Sequence, residues 1–158
     1  MCLVTVLGVG SPHGADQLGW KLVECLQQHS TLKPYLGNRL ECVILDRPGP
    51  RLLEYLEQAP VVVIIDAAVD GGETGRLSQY SAREIVENDI QFSSHQFGVQ
   101  QSLALGLSLG DVPDGVRVFA ISVTETDQLM SESECEQWAN RLCSEVAEQV
   151  SLLVVNST

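Results

Sequence analysis

Three short stretches hold the side chains best suited to chemistry. The first is Gly8-Val9-Gly10-Ser11-Pro12-His13-Gly14-Ala15-Asp16, the second is Asp66 directly after the run Val61–Ile65, and the third is His95 within Ser93-Ser94-His95-Gln96. Two carboxylates and an imidazole form a mixed oxygen and nitrogen set of the kind that suits a borderline divalent cation. Three ligands would leave coordination positions open for catalysis or sensing, whereas four would close a structural site. Each residue also has a plainer reading. Asp16 could cap the helix that follows it and complement its dipole. Asp66 could satisfy amides in the turn after its strand, and His95 could be one more polar loop residue near a helix start. His13, in the same turn as Asp16, reads as a surface histidine or as a fourth ligand or base, and Asp46 and Asp70 could shape an acidic cleft without being catalytic. Gly8, Gly10 and Gly14 suggest a phosphate cradle at a helix start. Their spacing departs from Gly-x-Gly-x-x-Gly, however, and Asp46 lies farther on than the usual ~20 residues for a ribose-binding acid.

These residues can act together only if the fold brings them to one place. The apolar runs Leu3–Val9, Leu40–Leu45, Val61–Ile65 and Val116–Val123 are continuous, which predicts strands buried on both faces of a parallel sheet. Leu18, Leu22, Cys25 and Leu26 recur at helical spacing between the first two runs, and Leu52, Leu53 and Leu56 follow Pro50 between the next two. Strand and helix alternating in this way predict βαβ crossovers. After the turn cluster Asp70–Gly75, residues Arg76–Tyr80 predict a short edge strand. Ser93 and Ser94 offer caps for a helix over Phe97–Leu109. Ser131 and Glu134 form a capping-box pattern ahead of a last helix whose apolar face runs through Cys135, Trp138, Leu142, Cys143, Val146, Val150 and Leu153. The expected architecture is α/β: a single-domain three-layer sandwich over residues 1–158, with a mostly parallel twisted sheet, helices on both faces and one short edge strand. Open sheets of this kind bind ligands beyond the carboxyl ends of their strands, and all three chemical stretches fall on that edge.

Composition narrows the function. Nine basic residues against twenty-one acidic ones give a net charge of −12, which repels a phosphate backbone or an anionic membrane surface. No apolar run approaches the ~20 residues that span a bilayer, and the N-terminal run lacks the basic flank and cleavage site of a signal peptide. The five cysteines are odd in number, include no Cys-x-x-Cys and fall mostly on apolar faces, so they read as core thiols in a reducing compartment. A cytoplasmic protein, monomeric and without nucleic-acid or membrane partners, is expected.

Taken in order, Val6-Leu7-Gly8-Val9-Gly10-Ser11-Pro12-His13-Gly14-Ala15-Asp16-Gln17-Leu18-Gly19, Val62-Val63-Ile64-Ile65-Asp66-Ala67-Ala68-Val69-Asp70-Gly71-Gly72 and Ser93-Ser94-His95-Gln96-Phe97-Gly98 resemble the three blocks of the hydrogenase maturation proteases. Those endopeptidases remove the C-terminal extension of nickel-iron hydrogenase large subunits. The resemblance implies that Asp16, Asp66 and His95 bind nickel and carry catalysis. The nickel would be supplied by the hydrogenase large-subunit precursor, with another divalent cation able to substitute in crystals. It also implies a checkpoint in which cleavage follows metal insertion. This chain has Ser11 where the family usually has Asn, and one acid where it has two. An ungapped alignment would set Gln17 at the first ligand position; shortening the loop by one residue matches Gly14 and Gly19, replaces the first acid by Ala15 and makes Asp16 the ligand. Two other readings stay open: a nucleotide- or flavin-binding α/β domain, and a non-catalytic metal-sensing chaperone of the same family.

Overall fold

The computed structural model describes residues 2–92, 97–124 and 130–157. Strand β1 (Val4–Gly10) leads through a short turn into helix α1 (Leu18–Gln28), and β2 (Leu40–Asp46), β3 (Val61–Val69) and β4 (Leu77–Ser81) follow. Helix α2 (Ala82–Glu87), β5 (Gln91–Phe92), α3 (Val99–Leu109), β6 (Val116–Ser122) and α4 (Glu132–Asn156) complete the order. The sheet runs β2-β1-β3-β6-β4. Strands β2, β1, β3 and β6 are parallel to their neighbours, β4 is antiparallel on the edge of β6, and β5 pairs antiparallel with the carboxyl end of β3.

The alternation of strand side chains fills two cores. Val6, Val63, Ile65 and Phe119 face one side, where they pack with Leu18, Leu22 and Leu26 of α1 and Cys135, Leu142 and Val146 of α4. Leu7, Val9, Val62, Ile64 and Val118 face the other, against Leu52, Leu56, Ile85, Val99 and Leu103. Burial on both faces explains why β1, β3 and β6 are continuous apolar runs in sequence. The long α4 begins at the expected box: Ser131 Oγ accepts from the Glu134 amide at 3.1 Å and the Glu134 carboxylate accepts from the Ser131 amide at 3.3 Å. The five cysteines are free thiols. Desolvation is the main cause that pushes Cys42 and Cys135 up to about 11 and Cys143 up to about 12, which suits core thiols and not nucleophiles. No helix among the described residues is long and apolar enough to cross a membrane.

Five features differ from the sequence expectation. β2 is an outer strand with Glu41, Ile44 and Asp46 exposed, because it ends the strand order and pairs with β1 alone among the described strands. The crossover through Leu52, Leu53 and Leu56 is a 3-10 helix, Gly49–Tyr55, with Pro48 and Pro50 at its start. Helix α2, started by a capping box of Ser81 and Glu84, and the two-residue β5 were not anticipated. Helix α3 begins at Val99, with the Gly98 amide donating to Gln101 Oε1 at 3.0 Å, whereas the caps expected at Ser93 and Ser94 lie outside the described residues.

Candidate functional site

From β1 the chain passes over α1 to β2 on one face, and from β2 it crosses the opposite face to β3. The carboxyl ends of β1 and β3 therefore flank a topological switch point, where an open α/β sheet leaves a crevice. Two glycines let backbone fill one side of it. A Cβ on Gly19 would lie 2.5 Å from Val9 O and 2.7 Å from Ile65 O, so only a bare backbone allows α1 to start directly on the two strand ends. A Cβ on Gly10 would run into the carbonyl of Asp16. Trp20 Nε1 donates to Leu45 O at 2.9 Å and holds the same helix against β2.

The first loop is a single 3-10 turn, Gly14–Gln17. The Asp16 amide donates to His13 O at 3.1 Å, and the Ser11 amide donates back to Asp16 O at 3.1 Å, closing the loop on itself. Asp16 is only 4% exposed, although it carries an acid side chain. It does not cap α1, whose N-cap position is Gln17 with no side-chain bond. Gln17 is half-buried and its Nε2 donates to Gly14 O at 3.2 Å, while His13 stands exposed. Ser11 is fully buried and its Oγ has no hydrogen-bond partner among the described residues.

Asp66 sits inside β3, fully buried, beside Ala120 of β6 in register. Its Oδ1 accepts the Ala67 amide at 2.8 Å. Asp and Glu are seldom fully buried, so two buried acids at one sheet end are unusual. The structure thus brings Asp16 and Asp66 to the same edge, where the 3-10 turn packs against β3. His95 lies outside the described residues. Among the described residues no three His, Cys, Asp or Glu side chains form a metal cage. At Gly8 and Gly10, two of the glycines of the alternative phosphate-cradle reading, the space is filled by the protein itself: a Cβ on Gly8 would meet Val23 and Gly19 O at 2.6 and 2.7 Å, and one on Gly10 the Asp16 carbonyl.

Asp46 is surface-exposed and paired with Arg47 at 2.8 Å. Asp70 is different. Its Oδ1 accepts Ser122 Oγ at 2.7 Å and the Gly72 amide at 3.1 Å, and its Oδ2 accepts Tyr80 Oη at 3.0 Å with Arg76 Nη2 at 3.6 Å. Burial pushes this carboxyl up, but the bonds from Ser122, Gly72 and Tyr80 and the Arg76 charge outweigh it and hold the group below the usual carboxylate range. The sequence signalled a turn over Asp70–Gly75, whereas the bonds from Ser122 and Tyr80 carried no sequence signal. A carboxyl depressed in the folded state gives stability that is complete above the unfolded pKa near ~4 and is lost as pH falls through the folded value. Asp70→Asn is accordingly expected to lower stability by about 1–3 kcal/mol at neutral pH and to flatten the fall of Tm below about pH 4, as measured by thermal unfolding across a pH series.

The family model described as hydrogenase maturation protease matches residues 21–154. The match begins beyond Asp16 and includes Asp66 and His95. The hydrogenase expression/formation protein HupD of Thiocapsa roseopersicina is 28% identical over 127 residues, covering 78% of this chain and 56% of HupD, so the chain spans about half the length of that relative. The nickel-iron hydrogenase maturation protease HybD of Thermococcus kodakarensis superposes with a TM-score of 0.66 at 22% identity, over 94% of this chain and 99% of HybD. The hydrogenase maturating endopeptidase HybD of E. coli superposes with a TM-score of 0.60 at 20% identity, over 93% of each chain. These two likenesses establish a common fold.

Proposed function

The chain belongs to the hydrogenase maturation protease family, and from that premise we propose that it is an endopeptidase that removes the C-terminal extension of a nickel-iron hydrogenase large-subunit precursor after nickel insertion. The observation that carries this reading is the pair of buried carboxylates, Asp16 and Asp66, at the switch point between β1 and β3. Together with His95 they make the oxygen and nitrogen set that nickel accepts. The nickel is part of the substrate: it arrives in the client, and when bound it polarises a carbonyl or acidifies a water.

The chain's own residues supply position. The closed turn from Ser11 to Asp16 fixes where the first carboxylate stands, and the Ala67 amide orients the second. Both acids are shielded from bulk water, so their attraction to a cation is screened less than on the surface. A client without nickel would meet only two desolvated carboxylates and gain nothing from them. That difference is the physical basis of a loading checkpoint, because discrimination rests on a contact that exists in one form of the client and not in the other.

The test is processing of a nickel-loaded large-subunit precursor, followed by the mass of its C-terminus. Wild type is expected to release the extension from the loaded precursor and leave the nickel-free precursor intact, and His95→Ala is expected to stop cleavage. Wild type that binds the loaded precursor through these residues yet leaves it whole would overturn the protease reading in favour of a metal-sensing chaperone, which the buried Ala15 in place of a second acid would suit.

A further inference from the structure

On the face of the sheet away from α1, the carboxyl end of β1 borders a pocket that the two buried acids do not use. It encloses about 260 Å³ including its open mouth, with Val9, Leu52, Phe97 and Val99 as apolar walls and Arg47 at the rim. Ser102 also lines it, but its hydroxyl donates to the carbonyls of Gly98 and Gly49, each at 2.9 Å, so its polarity is spent within the protein. Phe97 is a large aromatic left 41% exposed on this rim. Arg47 adopts a left-handed backbone with φ 43, a conformation that L side chains avoid. Its amide donates to Gly10 O at 2.9 Å, which ties the strained residue to the same strand end that leads into the Asp16 loop. A strained non-glycine residue kept at a pocket mouth is a pointer to function.

The chemistry of the pocket specifies its occupant. The apolar walls and the volume suit one aliphatic side chain. The Arg47 guanidinium bonds Asp46 through Nε to Oδ1 at 2.8 Å and through Nη2 to Oδ2 at 3.5 Å, which balances its charge and leaves the Nη1 donors for a further acceptor. A balanced guanidinium favours a neutral acceptor, such as a peptide carbonyl, over a second carboxylate. An extended peptide offers both features at once, since its side chains and carbonyls alternate along the strand. Asp66 lies on the same side of β3 as Val62 and Ile64, which share the core of Val9 and Leu52, so a peptide crossing the carboxyl edge of the sheet meets the acids and the pocket in succession.

We infer that this pocket is a substrate subsite that takes an aliphatic side chain of the client's C-terminal segment close to the bond to be cut, with Arg47 donating to a main-chain carbonyl of that segment. The inference rests on the endopeptidase reading above. It is tested by steady-state processing of nickel-loaded precursor with wild type, Arg47→Gly and Phe97→Ala, and with client variants in which each aliphatic residue flanking the cut is changed in turn to Asp. Arg47→Gly is expected to raise KM about tenfold, the loss of roughly one charge-assisted hydrogen bond, while Tm stays level or rises because glycine accepts the left-handed backbone. Phe97→Ala is expected to raise KM several-fold, and one client change to Asp should weaken wild type strongly while adding little to the defect of Phe97→Ala. Wild-type cleavage with KM unchanged in both enzyme variants would overturn the subsite alone, and so would a fall in kcat at constant KM. If wild type cuts no loaded precursor, the endopeptidase reading fails and the subsite with it.

Discussion

Asp66→Asn should abolish processing of a nickel-loaded precursor while leaving the protein folded. Asp66 is fully buried within β3, and the amide keeps the shape of the carboxylate and an oxygen that can still accept the Ala67 amide, so the strand is preserved. What the change removes is the charge. The same charge is what the proposed reaction needs, because a neutral amide is a far poorer partner for a divalent cation. Losing several kcal/mol of cation interaction lowers the rate by about 10³-fold or more. Asp16→Asn should behave likewise, since Asp16 is nearly as buried and held by the turn that Ser11 closes. Gln17→Ala should cut the precursor at close to the wild-type rate, because its amide is engaged with Gly14 O. Processing rates and melting temperatures of the three variants provide the check. A stable Asp66→Asn that still cleaves would remove Asp66 from the site, and a dead Gln17→Ala beside an active Asp16→Asn would restore the ungapped alignment.

Much of this arrangement was legible in the sequence because it depends on periodicity. The strands β1, β3 and β6 announce themselves as unbroken apolar runs, since both of their faces are covered, and the capping box at Ser131 and Glu134 fixes the start of α4. The edge to search followed from the alternation of strand and helix that predicts an open parallel sheet. What stayed hidden depends on tertiary context. β2 reads as a buried strand by composition, yet its outer side is open. The bonds to Asp70 come from Tyr80 on the next strand and from Ser122, 52 residues on, and no sequence pattern announces them. Nothing in the sequence sets Arg47 apart; its left-handed backbone and the pocket beside it do. The glycines of the first block were visible but ambiguous. Their types allowed a phosphate cradle or a close-packed turn, and the atoms that surround them decide for packing.

That packing makes Gly19 and Gly10 the positions where the smallest change should have the largest effect on the site. Placing a methyl group on Gly19 sets it 2.5 and 2.7 Å from two strand carbonyls, and backbone in the middle of a sheet cannot yield as a side chain can. The helix must lift instead, carrying the Asp16 turn with it. Alanine gains about 1 kcal/mol of helix propensity over glycine, but overpacking of this kind costs about 1–3 kcal/mol and more against backbone, so Gly19→Ala should be modestly less stable than wild type. Its processing rate should fall by about 10²-fold, the effect of moving a reacting group by roughly 1 Å. Gly10→Ala should do the same through the Asp16 carbonyl, and it should also expose the Ser11 amide to exchange by breaking its bond to Asp16 O. Gly37→Ala is the control. Gly37 has φ +84 but no atom within 4 Å of its would-be Cβ, and it precedes β2 at the opposite end of the sheet. It should cost about 1 kcal/mol for the left-handed backbone and leave processing untouched. Hydrogen exchange at Ser11 read beside the cleavage rate separates the two effects. Equal losses of activity in Gly37→Ala and Gly19→Ala would mean that global stability, and not the seat of the Asp16 turn on β1 and β3, governs the reaction.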